Sequence, residues 1–363
     1  MEHFASVPEQ VEAKRLLEAA LAEGPAHAYL LHGPAGVGKR IAAFALAAAL
    51  LGDERRVEAR THPDLYLLEP LGEMIRIDDI RALRHDLHMR PFEADRRVYL
   101  VLDAQRMNED AADALLKDLE EPPPYATIVL VASELGSLPP TILSRCQLVP
   151  FHRLSERAVR AWLAARAPEL GEDEIRALGR VSAGRLDRAE RLLDPAAAAR
   201  RDALIAAARS VYADPGFDPA AAASVVLDAA DERGREAKER EQEAIDGLDL
   251  PARDADQRVR RAERGAERDE LLASLEALEA WYRDLVVVSA GAEQPVVNAD
   301  RLDVLREDAA FGLGDGVIDA AEAVRETWRA LEEFNLNPSL ALEALFVRIE
   351  RALAGAARRP LLA

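Results

Sequence analysis

Residues 33–40 read GPAGVGKR, and this stretch decides the fold. The pattern G-x-x-x-x-G-K-[ST] lets backbone N–H groups close around phosphate oxygens. It sends a lysine to the outer phosphates and uses a hydroxyl to ligate Mg²⁺. Gly33, Gly38 and Lys39 satisfy it, with Gly36 between them, but position 40 is Arg, which cannot ligate a cation. The loop is therefore a nucleotide-site loop lacking one of its catalytic groups.

Outward from the loop, Ala28–His32 (AYLLH) is a short apolar run ending at Gly33, and Ile41–Leu51 is an Ala- and Leu-rich helix. Strand, glycine loop and helix form the context that a phosphate loop requires. Upstream, Val11, Leu16, Leu17 and Leu21 predict an amphipathic lead-in helix. Downstream, His62-Pro63-Asp64 precedes a strand at Leu65–Leu68, and Ile75–Leu87 reads as a helix with Ile80, Leu83 and Leu87 on one face. His62 has no Cys or acidic cluster beside it and reads as a turn residue. Arg97–Asp103 (RVYLVLD) is a buried strand ending in an acid, the kind of Asp that serves a Mg²⁺ shell, followed here by Ala104. Met107–Leu119 is a helix stopped by Glu120-Glu121-Pro122-Pro123-Pro124. Thr127–Ala132 is a further buried strand, and Leu138–Leu148 contains Ser144-Arg145-Cys146. Such alternation predicts a parallel sheet with helices on both faces.

From Phe151 onward the patterning is helical, with helices expected at Ser155–Arg166, Asp173–Val181 and Gly184–Leu193. Asp194-Pro195 and Asp214-Pro215-Gly216 bracket a change of domain. Asp231–Asp269 is densely charged and reads as a solvated helix pair or a partly mobile insertion; Glu270–Ser289, Val317–Phe334 and Pro338–Leu353 are helices with apolar faces that include Trp281, Tyr282, Leu285, Leu340, Leu342, Leu345 and Ile349. The expected organisation is an α/β domain over 1–150, a small helical domain over 151–205 and an all-α domain over 206–363, with a charged insertion at about 231–269.

The chain has 363 residues and a net charge of −19, which argues against a broad DNA-gripping surface of its own. One cysteine, Cys146, excludes an internal disulfide and is too few thiolates for a structural zinc site. MEHFASVPEQ does not have the form of a signal peptide, and Ile41–Leu51 is about half the ~20 residues of a membrane span. No membrane contact and a cytoplasmic location are expected.

With LLKDLEEPP at 115–123 and ILSRC at 142–146, the chain resembles the bacterial DNA polymerase III clamp-loader subunits, AAA+ proteins that open a ring-shaped sliding clamp and close it on primed DNA. HPDL at 62–65, the spacing of RVYLVLDA and NLNPSLALEALFVRI at 335–349 extend the resemblance; 231–269 lies outside it. It implies an α/β AAA+ P-loop domain, a parallel sheet flanked by helices, followed by a small helical lid domain and an all-α C-terminal collar domain. The implied partners are the tau/gamma and delta subunits, with the sliding clamp (beta) and primed DNA in the assembled loader.

Within that family the chain looks like the delta-prime branch, a largely inactive relative that completes the ring. Arg40 replaces the Mg²⁺-binding hydroxyl, and Ala104 replaces the family's water-positioning Glu. GRLDRA at 184–189 puts Asp187, or Arg188 at a one-residue slip, where the family's second sensor carries an Arg. The four-cysteine zinc module of many relatives has no counterpart between Leu51 and His62, so neither zinc nor another metal is expected. The resemblance makes Arg145 an arginine finger acting in trans on a neighbour's ATP. It leaves Gly33, Gly36, Gly38, Lys39, Arg40 and Asp103 as a degenerate nucleotide site that needs no cofactor. That site either holds ATP or ADP without turnover or is filled by the Arg40 guanidinium. The competing readings are an active tau/gamma-type ATPase using Lys39 and Asp103, and a nucleotide kinase.

Overall fold

In a computed structural model the described residues are 3–246, 252–334 and 336–356. Five strands form one all-parallel sheet: β1 (Ala28–His32), β2 (Leu65–Leu68), β3 (Arg97–Val101), β4 (Ala126–Ala132) and β5 (Gln147–Pro150), in the order β2-β3-β4-β1-β5. The central strands β3 and β4 are buried along their whole length and β1 along all but its last residue, so they carry continuous apolar runs instead of an alternation. The edge strands are only partly covered.

Seven helices accompany the strands among the described residues: α1 (Val11–Glu23), α2 (Lys39–Leu51), α3 (Glu54–Glu58), α4 (Ile77–Leu87), α5 (Glu109–Glu120), α6 (Pro140–Leu143) and α7 (Glu156–Arg166). Side-chain caps set several of their starts. Asn108 accepts the Ala111 N–H at 3.0 Å ahead of α5, and Ser155 accepts the Ala158 N–H at 3.1 Å ahead of α7. Ile80, Leu83 and Leu87 of α4 and Ala111, Leu115 and Leu119 of α5 pack on Tyr99, Val101, Ile128 and Leu130 of the sheet. Ala114 and Leu116 lie at the margin of that core, partly buried.

The helices that follow are α8 (Glu172–Val181), α9 (Leu186–Leu193), α10 (Pro195–Ala213), α11 (Pro219–Ile245), α12 (Ala252–Ser289), α13 (Leu302–Ala309), α14 (Gly316–Glu333) and α15 (Pro338–Ala356). The chain divides into two compact units. One holds Met1–Glu169 with Gly184–Ala189, and the other Leu170–Ala183 with Glu190–Ala363.

In the second unit, Trp281, Tyr282 and Leu285 of α12 meet Val317 and Val324 of α14 and Leu345, Phe346 and Ile349 of α15 in one core. A polar chain threads it: Trp281 Nε1 donates to the Tyr212 hydroxyl at 3.2 Å, which donates to Asp308 at 2.7 Å. Arg209 then clamps the same buried carboxylate at 2.7 and 2.9 Å. This is a parallel sheet flanked by helices, followed by an extensive all-α region, the fold class expected from the alternating pattern.

Several details differ from the sequence reading. Residues 147–150, left without an element, form β5; a strand of four residues containing Pro is tolerated at a sheet edge, where the missing N–H is not needed. Glu54–Glu58, read as a connection, is a helix capped by Asp53, which accepts the Arg56 N–H at 3.0 Å. Leu302–Ala309, not read as an element, is α13. Glu270–Ser289 is the C-terminal part of one 38-residue helix, because the charged segment ahead of it continues the same helix.

Of the two readings of the charged stretch, its described residues take the helix pair, with α11 and α12 antiparallel. Lys238 meets Glu263 at 3.2 Å, Arg233 meets Glu270 at 3.8 Å, and Glu241 pairs with Arg258. Residues 247–251, within that stretch, and Asn335, within the C-terminal family motif, lie outside the described residues. Leu340, expected on a packed face, is 66% exposed.

Candidate functional site

The phosphate-type loop leaves the C-terminal end of β1 and enters α2, whose N-cap Gly38 has a left-handed backbone (φ 97°). Gly33 is required by close approach. Its φ is 137°, and a Cβ there would lie 2.1 Å from the Phe151 carbonyl oxygen. Gly36 is required equally, at φ 70°, because a Cβ would lie 1.8 Å from Asp187 Oδ1.

Lys39 is buried at 5% exposure, and its ammonium donates to the carbonyls of Gly33 at 2.6 Å and Pro34 at 2.5 Å. Burial pushes its pKa down to about 8, against the opposing pull of Asp103 and Asp187 and with a further push from Arg185. Asp103 follows β3 in a left-handed conformation (φ 50°) and accepts from Gln105 Nε2 at 3.3 Å; Ala104 beside it is fully buried. His32, the last residue of β1, has its pKa lowered by burial, with smaller contributions from His152 and Lys39.

Arg40 is exposed and pairs with Glu69, just after β2, a carboxylate it shares with Arg60 at 2.9 Å. Both guanidinium groups lie over the Phe44 ring, at 5.8 and 5.9 Å. The Arg40 guanidinium is therefore engaged on the β2 side of α2.

Asp187 lies at the start of α9 in the same compact unit as the loop. Arg185 Nε and Nη2 donate to its two oxygens at 3.1 and 2.8 Å, and the Arg188 N–H donates at 2.9 Å. Burial works to raise this carboxyl, but the bonds and charge of Arg185 and the Arg188 N–H outweigh it and hold its pKa below the ordinary value. The Leu186 N–H donates to the Gly36 carbonyl at 2.7 Å.

Arg145 stands apart, between α6 and β5. Its Nη1 donates to the Thr141 carbonyl at 3.0 Å and to the Ser144 hydroxyl at 3.1 Å, and its Nη2 pairs with Glu120 at the end of α5. A third of its side chain remains exposed. Burial pushes the neighbouring Cys146 thiol up to about 12.

The structure thus gathers Gly33, Gly36, Gly38, Lys39 and Asp103 at the C-terminal end of the sheet, turns Arg40 aside, and places Arg145 at the other end. His62 is buried and its Nδ1 accepts the Asp64 N–H at 3.1 Å, a local turn bond. Among the described residues no group of three or more His, Cys, Asp or Glu could hold a metal ion, and no helix is long and apolar enough to cross a membrane.

Three participants were not legible as such: Glu69, Arg185 and Gln10. The Gln10 amide, at φ 46°, donates to the Val37 carbonyl of the loop at 3.2 Å. Glu69 lies 29 residues from Arg40, and only the strand register brings it near.

The family described as DNA polymerase III, delta subunit, matches residues 9–155. The delta-prime subunit of Bacillus subtilis DNA polymerase III is 37% identical over 145 residues, covering 37% of this chain and 44% of that protein. The delta-prime subunit of Pseudomonas aeruginosa is 36% identical over 182 residues, 46% of this chain and 56% of its own. The Bacillus subtilis tau subunit is 30% identical over 159 residues, 40% of this chain and 28% of its own. The match to the two delta-prime proteins spans about half the length of each. Residues 9–155, which include the sheet, are thus related in sequence to the DNA polymerase III clamp-loader subunits of the delta-prime and tau/gamma type.

Proposed function

We propose that the chain is a non-hydrolysing, delta-prime-type subunit that completes a clamp-loader ring with tau/gamma and delta subunits. In this reading it supplies Arg145 to the ATP of a neighbouring subunit while the loader closes a sliding clamp on primed DNA in the cytoplasm. Residues 1–150 are the nucleotide-fold domain, 151–205 the lid and 206–363 the collar through which the ring assembles. The reading requires no zinc.

The observation that carries it is the placement of Arg145. It sits in Ser144-Arg145-Cys146 at the entry to β5, with part of its guanidinium side chain open to solvent and its present partners, Glu120, Thr141 and Ser144, all at the surface. A planar, permanently charged donor fork is suited to the charge that develops on a transferring phosphoryl group. The chain's own loop lacks the hydroxyl at position 40, and fully buried Ala104 supplies no carboxylate to orient water.

The test is to assemble the chain with its tau/gamma and delta partners and to measure DNA-dependent ATPase. The chain alone is expected to hydrolyse nothing, and Arg145→Ala to depress turnover while leaving assembly intact. Normal turnover with that variant removes the finger role, and steady hydrolysis by the isolated chain removes the non-hydrolysing one.

A further inference from the structure

We propose that the chain closes its own phosphate loop: the start of α9 lies on the loop as an internal acidic latch, with the Asp187 carboxylate against Gly36. It deters nucleoside triphosphates, so the site is shut and not merely inactive.

Three contacts make the latch. The Leu186 N–H bonds the Gly36 carbonyl at 2.7 Å, fixing the backbone of α9 to the crest of the loop. The Asp187 carboxylate lies so close to Gly36 that even a Cβ would meet Oδ1 at 1.8 Å. Arg185 and the Arg188 N–H hold that carboxylate in place with bonds of 2.8 to 3.1 Å. Beneath it, the Lys39 ammonium is bonded to the loop's own carbonyls at Gly33 and Pro34. A triphosphate needs the opposite arrangement, with cations at the loop crest and a lysine free to reach outward. Here the crest is occupied by a carboxylate already ion-paired to Arg185, so a phosphate would have to displace that pair or bring its own negative charge into contact with the Asp187 oxygen in a half-buried site. The residues present therefore do not fit a nucleoside triphosphate while the latch is closed.

The latch uses only residues of the first compact unit, and it does not depend on Arg145. Its test is equilibrium binding of a fluorescent ATP analogue with Mg²⁺ to the full chain, comparing wild type with Asp187→Ala and Asp187→Asn. Circular dichroism and thermal unfolding establish that each variant is folded. Asn keeps the bulk of the native side chain and, through its one amide oxygen, the bonds from Arg185 Nε and the Arg188 N–H, losing only the Arg185 Nη2 bond and the charge, so it carries the test if the alanine variant does not fold. We expect wild type not to saturate at ~1 mM and at least one variant to bind about tenfold or more tightly. Adding Lys39→Ala should cancel the gain, and amide exchange at Leu186 should speed up in the variant that binds. Wild-type binding tighter than ~100 μM, or no gain in either variant, overturns the latch. Because this assay contains no loader partner, its failure leaves the Arg145 reading untouched, and failure of that reading leaves the latch untouched.

Discussion

Gln10 and His152 hold one another across 142 positions of sequence: the Gln10 amide oxygen accepts the His152 N–H at 3.0 Å, and its nitrogen donates to the His152 carbonyl at 2.6 Å. The same nitrogen reaches the Val37 carbonyl, so one side chain pins the chain before α1, the phosphate-type loop and the chain leaving β5. Gln10 is only 7% exposed, so removing its amide strands buried backbone groups. Gln10→Ala should cost about 1–3 kcal/mol in chemical denaturation. A loss below ~0.5 kcal/mol would show that water replaces these bonds.

Arg145 is held by Glu120 in the isolated chain. Surface pairs of this kind contribute ~1 kcal/mol or less, so releasing the guanidinium costs little. In the assembled loader, Glu120→Gln should leave ATPase within about twofold of wild type. Arg145→Ala should lower turnover at the adjoining site by about 10³-fold, the scale of arginine fingers elsewhere. Equal losses in both variants would mean that the pair itself, and not the free guanidinium, matters.

Lys39 has a folded-state pKa of about 8 against an ordinary 10.5. Between those values the unfolded chain binds more protons than the folded one, so stability should rise as pH increases from about 8 to 10.5. The shift corresponds to on the order of 3 kcal/mol at most. Comparing denaturation of wild type and Lys39→Met at pH 7.5 and 10 isolates it; parallel profiles would mean the ammonium is not desolvated.

Cys146, pushed up to about 12, should remain a thiol at pH 8. Alkylation by iodoacetamide should be about 10³-fold slower in the folded chain than in denaturant, following the thiolate fraction. Rapid labelling of native protein would place the sulfur in a wetter or more positive setting than the structure gives it.

Asp64 is fully buried and accepts three backbone N–H groups, from Phe92 at 2.6 Å, Glu93 at 3.0 Å and Ala94 at 2.9 Å. Burial raises its pKa, but these bonds outweigh that and set it below the ordinary value. Asp64→Ala should therefore destabilise the sheet unit by about 2–4 kcal/mol and release amide exchange at 92–94. Asp64→Asn should recover part of the loss; exchange unchanged in both variants would refute this role.

The sheet was legible because its central strands are continuous apolar runs punctuated by glycine and proline, and the loop because its glycines answer to backbone geometry. β5 was not, since edge strands need neither length nor hydrophobicity. The departures from the family's motifs could be read at positions 40 and 104. The contacts around the loop could not: Asp187 reaches Gly36 only through the path of the chain after α7, and Glu69 reaches Arg40 only through strand order. His62 was read as a turn residue, but the anchoring by its neighbour Asp64 depends on a loop about thirty residues downstream.

The parallel register of β1 and β5, Tyr29 with Gln147 and His32 with Pro150, gives the sheet a polarity. Arg145 precedes β5 at one rim of the sheet, while Gly33 follows β1 at the opposite rim, with about 13 Å of strand between them. No side-chain motion brings the two together while those strands stay paired. In the proposed ring such a head and such a tail would meet the neighbours through unlike faces, as in heterologous rings, and the guanidinium would reach a phosphate loop only on another chain.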